Sequence, residues 1–324
     1  MTTFDIALIR QAAERVEGRV VRTPLLESPM LNERAGCRLL VKAENLQLTG
    51  SFKIRGALNK LLSMPAAERS NGVVAFSAGN HGQGVAAAAR AVGCPAIIVM
   101  PTTAPNIKVD NCRWWGAEVV QYDPNAQNRE DVAREIASPR GMTVVSPFDD
   151  YDIMAGQGTC GLEIVEQLTE QQVAPDMVVI NCSGGGLASG VAEAVKTAFP
   201  LARIHLAEIE GYEKMARSLR AGSAQRNATV PKTILDGING PTAGTLPLQV
   251  LLRHGATGIG VSDEEALSGL SAAFNWLKLV LEPGGSAAIG GVLSGKLDVA
   301  GKNVVVIASG GNVDPSVFAN SLLG

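Results

Sequence analysis

The stretch Gly50-Ser51-Phe52-Lys53-Ile54-Arg55-Gly56-Ala57 sets a lysine between two large apolar residues, at the start of a predicted helix. A lysine flanked by Phe52 and Ile54 would lose part of its hydration, which lowers the pKa of its amine and suits a nucleophile. Taken alone, however, a lysine in such a position is more often a solvated surface charge. What Lys53 does therefore depends on the segments that the fold brings to it.

On either side of this stretch, short β-branched runs alternate with alanine-rich helical segments. The predicted strands cover residues 72–76, 96–100, 117–120, 142–145, 177–180, 203–207 and 303–307. The predicted helices cover residues 85–91, 107–115, 127–137, 156–167, 187–198 and 264–279. Apolar strands that alternate with helices are typical of parallel sheets with helical crossovers, so we predict an α/β fold.

Composition and charge exclude several classes of protein. The 324 residues are 46% hydrophobic and 18% charged, and the net charge of −3 offers no basic surface to a nucleic acid. The five cysteines are widely spaced and form no C-x-x-C pair, which favours a reducing compartment. The first residues show helical spacing rather than a signal peptide, and no apolar run reaches the length of a membrane span. We therefore expect a cytoplasmic protein with no nucleic-acid or membrane partner.

Three polar or glycine-rich loops follow predicted strands, at the edge where parallel sheets bind ligands. The first loop, Ser183-Gly184-Gly185-Gly186-Leu187, lies between a strand and a helix. Successive glycines let backbone N–H groups approach an anion, and the N-terminus of the following helix adds partial positive charge. Because the loop matches neither nucleotide-binding glycine motif, it indicates a phosphate site, or else only a tight strand-to-helix turn.

The second loop, Ser77-Ala78-Gly79-Asn80-His81-Gly82-Gln83-Gly84, also joins a strand to a helix. Its N–H groups suit a carboxylate, while Ser77 or Asn80 could instead serve only to cap the helix. His81 has no acidic or nucleophilic partner nearby in sequence, and the chain holds only three histidines. These facts disfavour a catalytic triad and a multi-histidine metal site.

The third loop, Ser309-Gly310-Gly311-Asn312, follows the strand predicted at 303–307. Its serine could face a buried ligand, or the loop could simply be a turn. Because all three loops follow strands, parallel pairing would bring them to one edge of a sheet.

Together these segments resemble the fold-type II enzymes that use pyridoxal 5′-phosphate (PLP), most closely the serine/threonine dehydratase (threonine ammonia-lyase) and serine racemase group. The matching segments, in chain order, are RTPL at 22–25, SFKIRGA at 51–57, SAGNHGQG at 77–84, AGQGT at 155–159, SGGGL at 183–187, LEPG at 281–284 and SGGN at 309–312. The resemblance implies a tryptophan-synthase-β-like α/β fold with two open, mostly parallel sheets in a large and a small lobe. Ile54, where sulfhydrylases and threonine synthases usually carry Asp, points away from those enzymes.

The resemblance also implies how the cofactor would be held. Lys53 would carry PLP as a Schiff base and would abstract the α-proton of the substrate, and Phe52 would lean on the pyridine ring. Asn80 would bond to the ring hydroxyl, and Ser309 would bond to the pyridine nitrogen and keep it unprotonated. The phosphate would be bound by the N–H groups of the glycine-rich loop, that is, of Ser183, Gly184, Gly185, Gly186 and Leu187.

The substrate carboxylate would lie on the second loop. Its predicted residues are Ser77, Ala78, Gly79, Asn80 and His81. A large lobe from residues 1–71 and 149–324 would close on the substrate against a smaller lobe from residues 72–148. The family pattern further implies a homodimer. Because the sequence ends twelve residues after Asn312, where biosynthetic threonine dehydratases continue into a regulatory domain, the resemblance is to the catabolic type.

Ala78 favours elimination over racemisation. Racemases of the group usually carry a serine there, on the face of the substrate opposite the lysine, and alanine has no proton to give. We therefore expect a dehydratase that converts L-threonine or L-serine to a 2-oxo acid and ammonia. Amino-acid racemisation is a weaker alternative.

No metal site is predicted. Many relatives bind a divalent cation through a Glu that is followed six positions later by an Asp, and here Glu208 is followed by Lys214. The ammonium of Lys214 could occupy the place of the cation. The sequence leaves open a univalent ion bound by backbone carbonyls.

Arg129 raises a second candidate substrate. It lies in the small lobe and could meet the additional carboxylate of threo-3-hydroxyaspartate, although a surface position on a helix is the more common role. A nicotinamide-dependent oxidoreductase is disfavoured because no G-x-G-x-x-G motif is present. A ligand sensor without activity is disfavoured because it would not need Lys53.

Overall fold

The computed structural model describes residues 3–323, in which strands and helices alternate along the chain. The strands are β1 (Leu25–Leu26), β2 (Arg38–Lys42), β3 (Val73–Phe76), β4 (Ala96–Pro101), β5 (Glu118–Tyr122), β6 (Thr143–Val144), β7 (Met177–Asn181), β8 (Arg203–Ile209), β9 (Thr257–Val261) and β10 (Asn303–Ile307). The helices are α1 (Ile6–Val16), α2 (Pro29–Ala35), α3 (Lys53–Ser63), α4 (Ala66–Asn71), α5 (Asn80–Val92), α6 (Asn106–Trp114), α7 (Arg129–Ala137), α8 (Tyr151–Glu170), α9 (Gly186–Ala198), α10 (Lys214–Ala221), α11 (Thr245–Arg253), α12 (Asp263–Leu277), α13 (Pro283–Leu293) and α14 (Pro315–Leu323).

The larger sheet has six strands in the order β1-β2-β10-β7-β8-β9. Only β1 runs antiparallel to its neighbour; the other pairs are parallel. The side chains of β10 explain why it lies inside the sheet, because they alternate between two cores. Val304 and Val306 pack into the core on one face, whereas Val305 and Ile307 pack into the core on the other.

The smaller sheet has four parallel strands in the order β5-β4-β3-β6. Its two central strands are likewise covered on both faces. Val73, Ala75 and Ile98 belong to one hydrophobic core, and Val74 and Ile97 belong to the core on the opposite face. The predicted α/β class with two open, mostly parallel sheets is therefore confirmed.

The predicted strands and helices are present, with their ends shifted by several residues, but three strands were not predicted. β2 begins with Arg38 and ends with Lys42, whose charges interrupt the apolar pattern. β9 contains Gly258 and Gly260, which have low strand propensity. β1 has only two residues. The prediction that Ser77 or Asn80 caps α5 is wrong, because the N-cap is Gly79 and no side chain caps it.

The predicted boundaries of the lobes, 1–71 with 149–324 and 72–148, remain a prediction. All four strands of the smaller sheet come from one continuous stretch, Val73–Val144. Met1, Thr2 and Gly324 lie outside the described residues. Within the described part of the chain, no helix combines the length and the apolar character needed to cross a membrane.

Four charged side chains, three of them buried and the fourth (Glu163) only 14% exposed, connect the two halves of the chain. We call Lys42, Glu44, Arg55 and Glu163 the buried charge cluster. Arg55 donates to both carboxylate oxygens of Glu44, at 2.7 and 2.8 Å, and to both of Glu163, at 2.7 and 2.9 Å. Lys42 donates to Glu163 at 2.6 Å. Two cations thus balance two anions where β2, α3 and α8 meet, and the bidentate geometry fixes α3 in place.

Removing one charge from this cluster should destabilise the protein strongly. Arg55→Met leaves two buried carboxylates without their shared cation, and we expect the free energy of unfolding to fall by about 3–5 kcal/mol. The measurement is urea unfolding of the ligand-free protein. Arg22→Met is the control, because Arg22 pairs with Glu166 and Glu170 in solvent and should lose less than about 1 kcal/mol. Equal losses would contradict the argument.

Candidate active site

The loop before Lys53 is joined to the loop after β10 by backbone pairing. Ser51 forms a β-bridge with Gly310. The N–H of Phe52 donates to the carbonyl of Ser309 at 3.2 Å, and the N–H of Gly311 donates to the carbonyl of Gly50 at 2.8 Å. This pairing sets the first residue of α3, Lys53, beside the third predicted loop, although more than two hundred residues separate them in sequence.

The amine of Lys53 lies in a largely apolar environment. Its Nζ donates to the carbonyl of Pro147 at 2.9 Å and lies 5.2 Å from the centroid of the Phe52 ring. Desolvation lowers the pKa of Lys53 to about 8. The backbone of Lys53 packs closely against Gly84 on α5, because a Cβ at Gly84 would lie 3.1 Å from the carbonyl carbon of Lys53. Lys53 is thus a confined amine whose neutral form is accessible near physiological pH.

The glycine-rich loop forms a cradle of N–H groups between β7 and α9. Gly185 is the N-cap of α9 and has a φ of 97°, a conformation that favours glycine. A Cβ at Gly184 would lie 2.2 Å from the ring of Phe148, so no side chain fits there. Phe148 follows Pro147, whose carbonyl accepts a hydrogen bond from Lys53. The Pro147–Phe148 segment therefore contacts both the glycine-rich loop and the amine. An anion can be bound by the N–H groups and the positive end of α9.

The second loop ends at the N-terminus of α5, where the first-turn N–H groups lack partners within the helix. Both polar atoms of the Asn80 amide are hydrogen-bonded. Nδ2 donates to Glu282 at 2.6 Å, and Oδ1 accepts from Asn312 at 2.8 Å. Ser77 accepts a hydrogen bond from the N–H of Gly79 at 3.1 Å. The loop is thereby joined to the third loop and presents N–H groups to a carboxylate.

His81 is buried and neutral. Its Nε2 lies 3.0 Å from the carbonyl of Val145, which accepts the ring proton. Desolvation, together with the charge of Lys53, lowers the pKa of His81 to about 3. The imidazole therefore offers no positive charge, and His81 can contribute to carboxylate binding through its backbone N–H.

Glu282 is a buried carboxyl group whose side-chain partner is Asn80. Desolvation and the nearby Asp236 carboxylate raise the pKa of Glu282 to about 7. Its Oε1 would lie 2.3 Å from a Cβ at Gly310, so the glycine of the third loop lets the acid approach. Glu282 belongs to the LEPG segment, for which no role is predicted from sequence.

The described residues fit PLP at three points. A confined primary amine is present at Lys53, and a cradle of N–H groups suited to a phosphate is present at Gly184–Gly186. Ser309 is 5% exposed, and its Oγ accepts from Asn181 at 2.9 Å. Its own hydroxyl proton has no acceptor in the described part of the chain, so it can be donated to a ring nitrogen.

Sequence reasoning missed Pro147, Phe148, Glu282 and Asn181. Pro147 and Phe148 follow the short strand β6, and the position just after a strand was the available signal. Asn181 directly follows the strand predicted at 177–180, and Glu282 lies in the LEPG segment that matches the family, so both had a positional signal. That signal did not give either residue a role, because their hydrogen-bond partners come from distant segments.

At the position where a metal was considered, Glu208 is buried and accepts from the N–H groups of Met215 and Ala216, both at 2.8 Å. Lys214 is also buried, with Nζ 3.9 Å from Glu208. Burial raises the pKa of Glu208 and lowers that of Lys214. The acid thus has a lysine and a helix N-terminus as partners. Across residues 3–323, no group of three or more His, Cys, Asp or Glu side chains could hold a metal ion.

The comparisons with known proteins agree with this geometry. A family model described as "Pyridoxal-phosphate dependent enzyme" matches residues 16–310. An L-threonine ammonia-lyase of Thermotoga maritima is 40% identical over 310 residues, which are 96% of this chain and 76% of that protein. An L-threo-3-hydroxyaspartate ammonia-lyase of Pseudomonas sp. is 38% identical over 97% of each chain. The solved structure of maize serine racemase superposes with a TM-score of 0.92 at 34% identity, covering 99% of this chain and 98% of that one.

Glu282 should make the stability of the protein depend on pH. The folded protein keeps this proton up to a pH of about 7, whereas the unfolded chain releases it near the usual pKa of 4.5. The folded state therefore binds more protons between these values, and stability falls as pH rises through them, by up to about 1.4 kcal/mol per pH unit. Glu282→Gln removes this contribution, so we expect the variant to gain stability relative to the wild type as pH rises.

Urea unfolding of both PLP-free proteins at several pH values between about 5 and 8 measures this difference. Taking the difference cancels the contributions of His81 and Lys53, which titrate in both proteins. Glu135→Gln, at an exposed position on α7, controls for the loss of one surface charge. A constant difference between the wild type and Glu282→Gln would contradict the expectation.

Proposed function

The chain belongs to the family of pyridoxal-phosphate-dependent enzymes, and on that basis we propose that it is an ammonia-lyase that converts L-threonine or L-serine to a 2-oxo acid and ammonia. The observation that carries this proposal is the placement of Lys53. The amine of Lys53 is half-buried and has a lowered pKa, and contacts of its segment connect it to the N–H groups of the glycine-rich loop and to a helix N-terminus. The same contacts connect it to the hydroxyl of Ser309, whose proton has no acceptor among the described residues. The similarity to the Thermotoga maritima threonine ammonia-lyase supports the same reaction.

PLP supplies an electron sink that makes the Cα–H bond of an amino acid acidic. In our proposal Lys53 holds the cofactor, and Phe52 packs against its ring. The N–H groups of Ser183, Gly184, Gly185, Gly186 and Leu187 bind its phosphate. Ser309 donates to its ring nitrogen, and Asn80 donates to its ring hydroxyl. The second proton of the Asn80 amide remains available, because Glu282 takes only one.

Lys53 is also the base in this proposal. An amine accepts the α-proton only in its neutral form, and a pKa of about 8 makes that form accessible near neutral pH. The carbonyl of Pro147 accepts a hydrogen bond from the same nitrogen and thereby orients it. The residues Ser77, Ala78, Gly79, Asn80 and His81 hold the substrate carboxylate through N–H groups at the start of α5.

Ala78 supports elimination rather than racemisation. Racemisation needs a proton donor on the face of the substrate opposite Lys53, and the methyl group of Ala78 provides none. Elimination needs the lysine on one face only. The fold similarity to maize serine racemase concerns the scaffold, whereas residue 78 bears on the chemistry.

We further propose that residues 72–148 form a small lobe that closes on the substrate against the large lobe, 1–71 and 149–324. The contacts of Asn80 with Glu282 and Asn312 join the two parts, as does the ion pair between Lys108 and Asp236 at 3.2 Å.

A homodimer and a cytoplasmic location complete the proposal. Leu46, Leu48 and Val280 are large apolar side chains exposed on neighbouring segments, since Asn45 donates to the carbonyl of Val280. A second copy of the chain would cover them. All five cysteines are free thiols, and all five are buried, as in proteins of reducing compartments.

The central test is the loss of cofactor and activity in Lys53→Ala. The wild type should show a visible absorbance band that borohydride abolishes and should release 2-oxo acid from L-threonine or L-serine. Lys53→Ala should lose the band, and its activity should fall by about 10²–10⁴-fold or more. Lys60→Ala, on the same helix but paired with Asp150 and Asp152, should keep both. A wild type that stays colourless after PLP is added would refute the proposal.

A second candidate substrate is threo-3-hydroxyaspartate, and the position of Arg129 favours it. The guanidinium carbon of Arg129 lies 5.6 Å from the centroid of the Phe76 ring, and Phe76 directly precedes Ser77. Within the described residues, no salt bridge joins Arg129 to an acidic side chain. A half-buried cation is thus present beside the substrate loop, where a second carboxylate could use it.

Arg129→Gln distinguishes the two substrates. If Arg129 binds the additional carboxylate, kcat/KM for threo-3-hydroxyaspartate should fall about 10- to 100-fold, the loss expected for a charged hydrogen bond. The value for L-threonine should stay within about two-fold, because L-threonine has no second carboxylate. Arg134→Gln, an exposed change on the same helix, is the control. Equal losses for both substrates would exclude a specific role for Arg129.

A further inference from the structure

We propose that Asn181 is a positioning residue that directs the hydroxyl proton of Ser309 toward the ring nitrogen of the cofactor. The inference deepens the proposed function and rests on the role of Ser309 given there. Asn181 is the last residue of β7 and is buried, in a strand whose other members are Met177, Val178, Val179 and Ile180. A buried amide in an apolar strand needs partners for each of its polar atoms, and Asn181 has them.

The orientation of this amide is fixed by backbone groups of two other elements. Its Oδ1 accepts from the N–H of Ala288 in α13 at 2.6 Å. Its Nδ2 lies 2.8 Å from the carbonyl of Gly285 and 3.0 Å from the carbonyl of Ile307. Because a backbone N–H requires an acceptor and a carbonyl requires a donor, the opposite orientation would lose all three bonds.

The same Nδ2 lies 2.9 Å from the Oγ of Ser309. The two protons of this amide are shared among three oxygens, those of Gly285, Ile307 and Ser309. Because an amide NH₂ group can donate but cannot accept, Ser309 can only be the acceptor in its contact with Asn181. The single hydroxyl proton of Ser309 is therefore directed elsewhere. Within residues 3–323, the hydroxyl has no other hydrogen-bond partner.

The consequence is that the hydrogen bond between Ser309 and the cofactor has a defined direction, with Ser309 as the donor. A Ser309 hydroxyl without Asn181 could rotate and either donate to an unprotonated ring nitrogen or accept from a protonated one. With Asn181 in place, a hydroxyl that also accepted from a protonated nitrogen would leave its own proton without an acceptor among the described residues, so the contact favours donation to an unprotonated nitrogen. Asn181 thus acts through Ser309 and does not itself touch the cofactor.

A double-mutant cycle with Asn181→Ala, Ser309→Ala and the double variant tests this coupling. The readout is the dissociation constant for PLP, from titration of the PLP-free protein followed by absorbance. We expect Ser309→Ala to weaken binding about 10-fold and Asn181→Ala about 5-fold, the range for a single hydrogen bond. In the Ser309→Ala background, Asn181→Ala should have no further effect. Asn303→Ala, which removes an amide that donates to the carbonyl of Ala174, should leave PLP binding unchanged.

A second variant guards against misfolding, because Asn181→Ala leaves the N–H of Ala288 without its partner. Asn181→Asp keeps an oxygen for Ala288 but presents an acceptor to Ser309, which would turn the hydroxyl away from the cofactor. The readout is the ¹⁵N resonance of PLP labelled at the ring nitrogen. We expect Asn181→Asp and Ser309→Ala to move this resonance in the same direction relative to the wild type.

The outcomes separate the two proposals. If Ser309→Ala changes neither PLP affinity nor the ¹⁵N resonance, the proposed role of Ser309 fails. If Ser309→Ala changes both, but Asn181→Ala weakens PLP equally in the presence and absence of Ser309, Asn181 is only structural and the present inference fails. An unchanged ¹⁵N resonance in Asn181→Asp would also overturn it.

Discussion

The structure depends most on the buried charge cluster of Lys42, Glu44, Arg55 and Glu163. Ions removed from water are stable only when paired closely, so the four side chains tolerate a single arrangement of β2, α3 and α8. That arrangement sets the first turn of α3, and with it Lys53, two residues before Arg55. An apolar contact would allow α3 to slide slightly, whereas bidentate hydrogen bonds do not. The position of the reactive amine is therefore fixed by electrostatics rather than by packing alone.

Much of the fold and part of the site could be predicted from sequence. The alternation of apolar strands with helices predicts parallel sheets, and the glycine-rich loops after β7 and β10 are recognisable in the sequence as candidate ligand-binding segments. The order of strands is not visible, because β10 pairs with β2 from the other end of the chain. The roles of Asn181 and Glu282 could not be predicted either. Each resembles an ordinary polar residue until distant segments supply its hydrogen-bond partners.

Burial shifts the ionisable groups around Lys53 in one direction, toward their neutral forms. The pKa values of Lys53 and His81 are lowered and that of Glu282 is raised, each chiefly by desolvation. The site therefore presents few fully charged side chains to a ligand. In the proposed function, phosphate and carboxylate groups would bind at helix N-termini, whose partial charges need no counter-ion. Such a site keeps its amine reactive while it still attracts anions.

The central place of β10 in the larger sheet has a consequence for biosynthesis. A ribosome delivers β3 to β6 early and as one block, so the smaller sheet can form while synthesis continues. The larger sheet cannot be completed until later, because β10, which lies between β2 and β7, is the last strand to be translated. Until then β2 and β7 each lack a neighbour and expose unpaired edges. From the end of β6 to the end of β10, about half of its translation, a nascent chain of this protein therefore has a smaller sheet that can fold and a larger sheet that needs protection from aggregation.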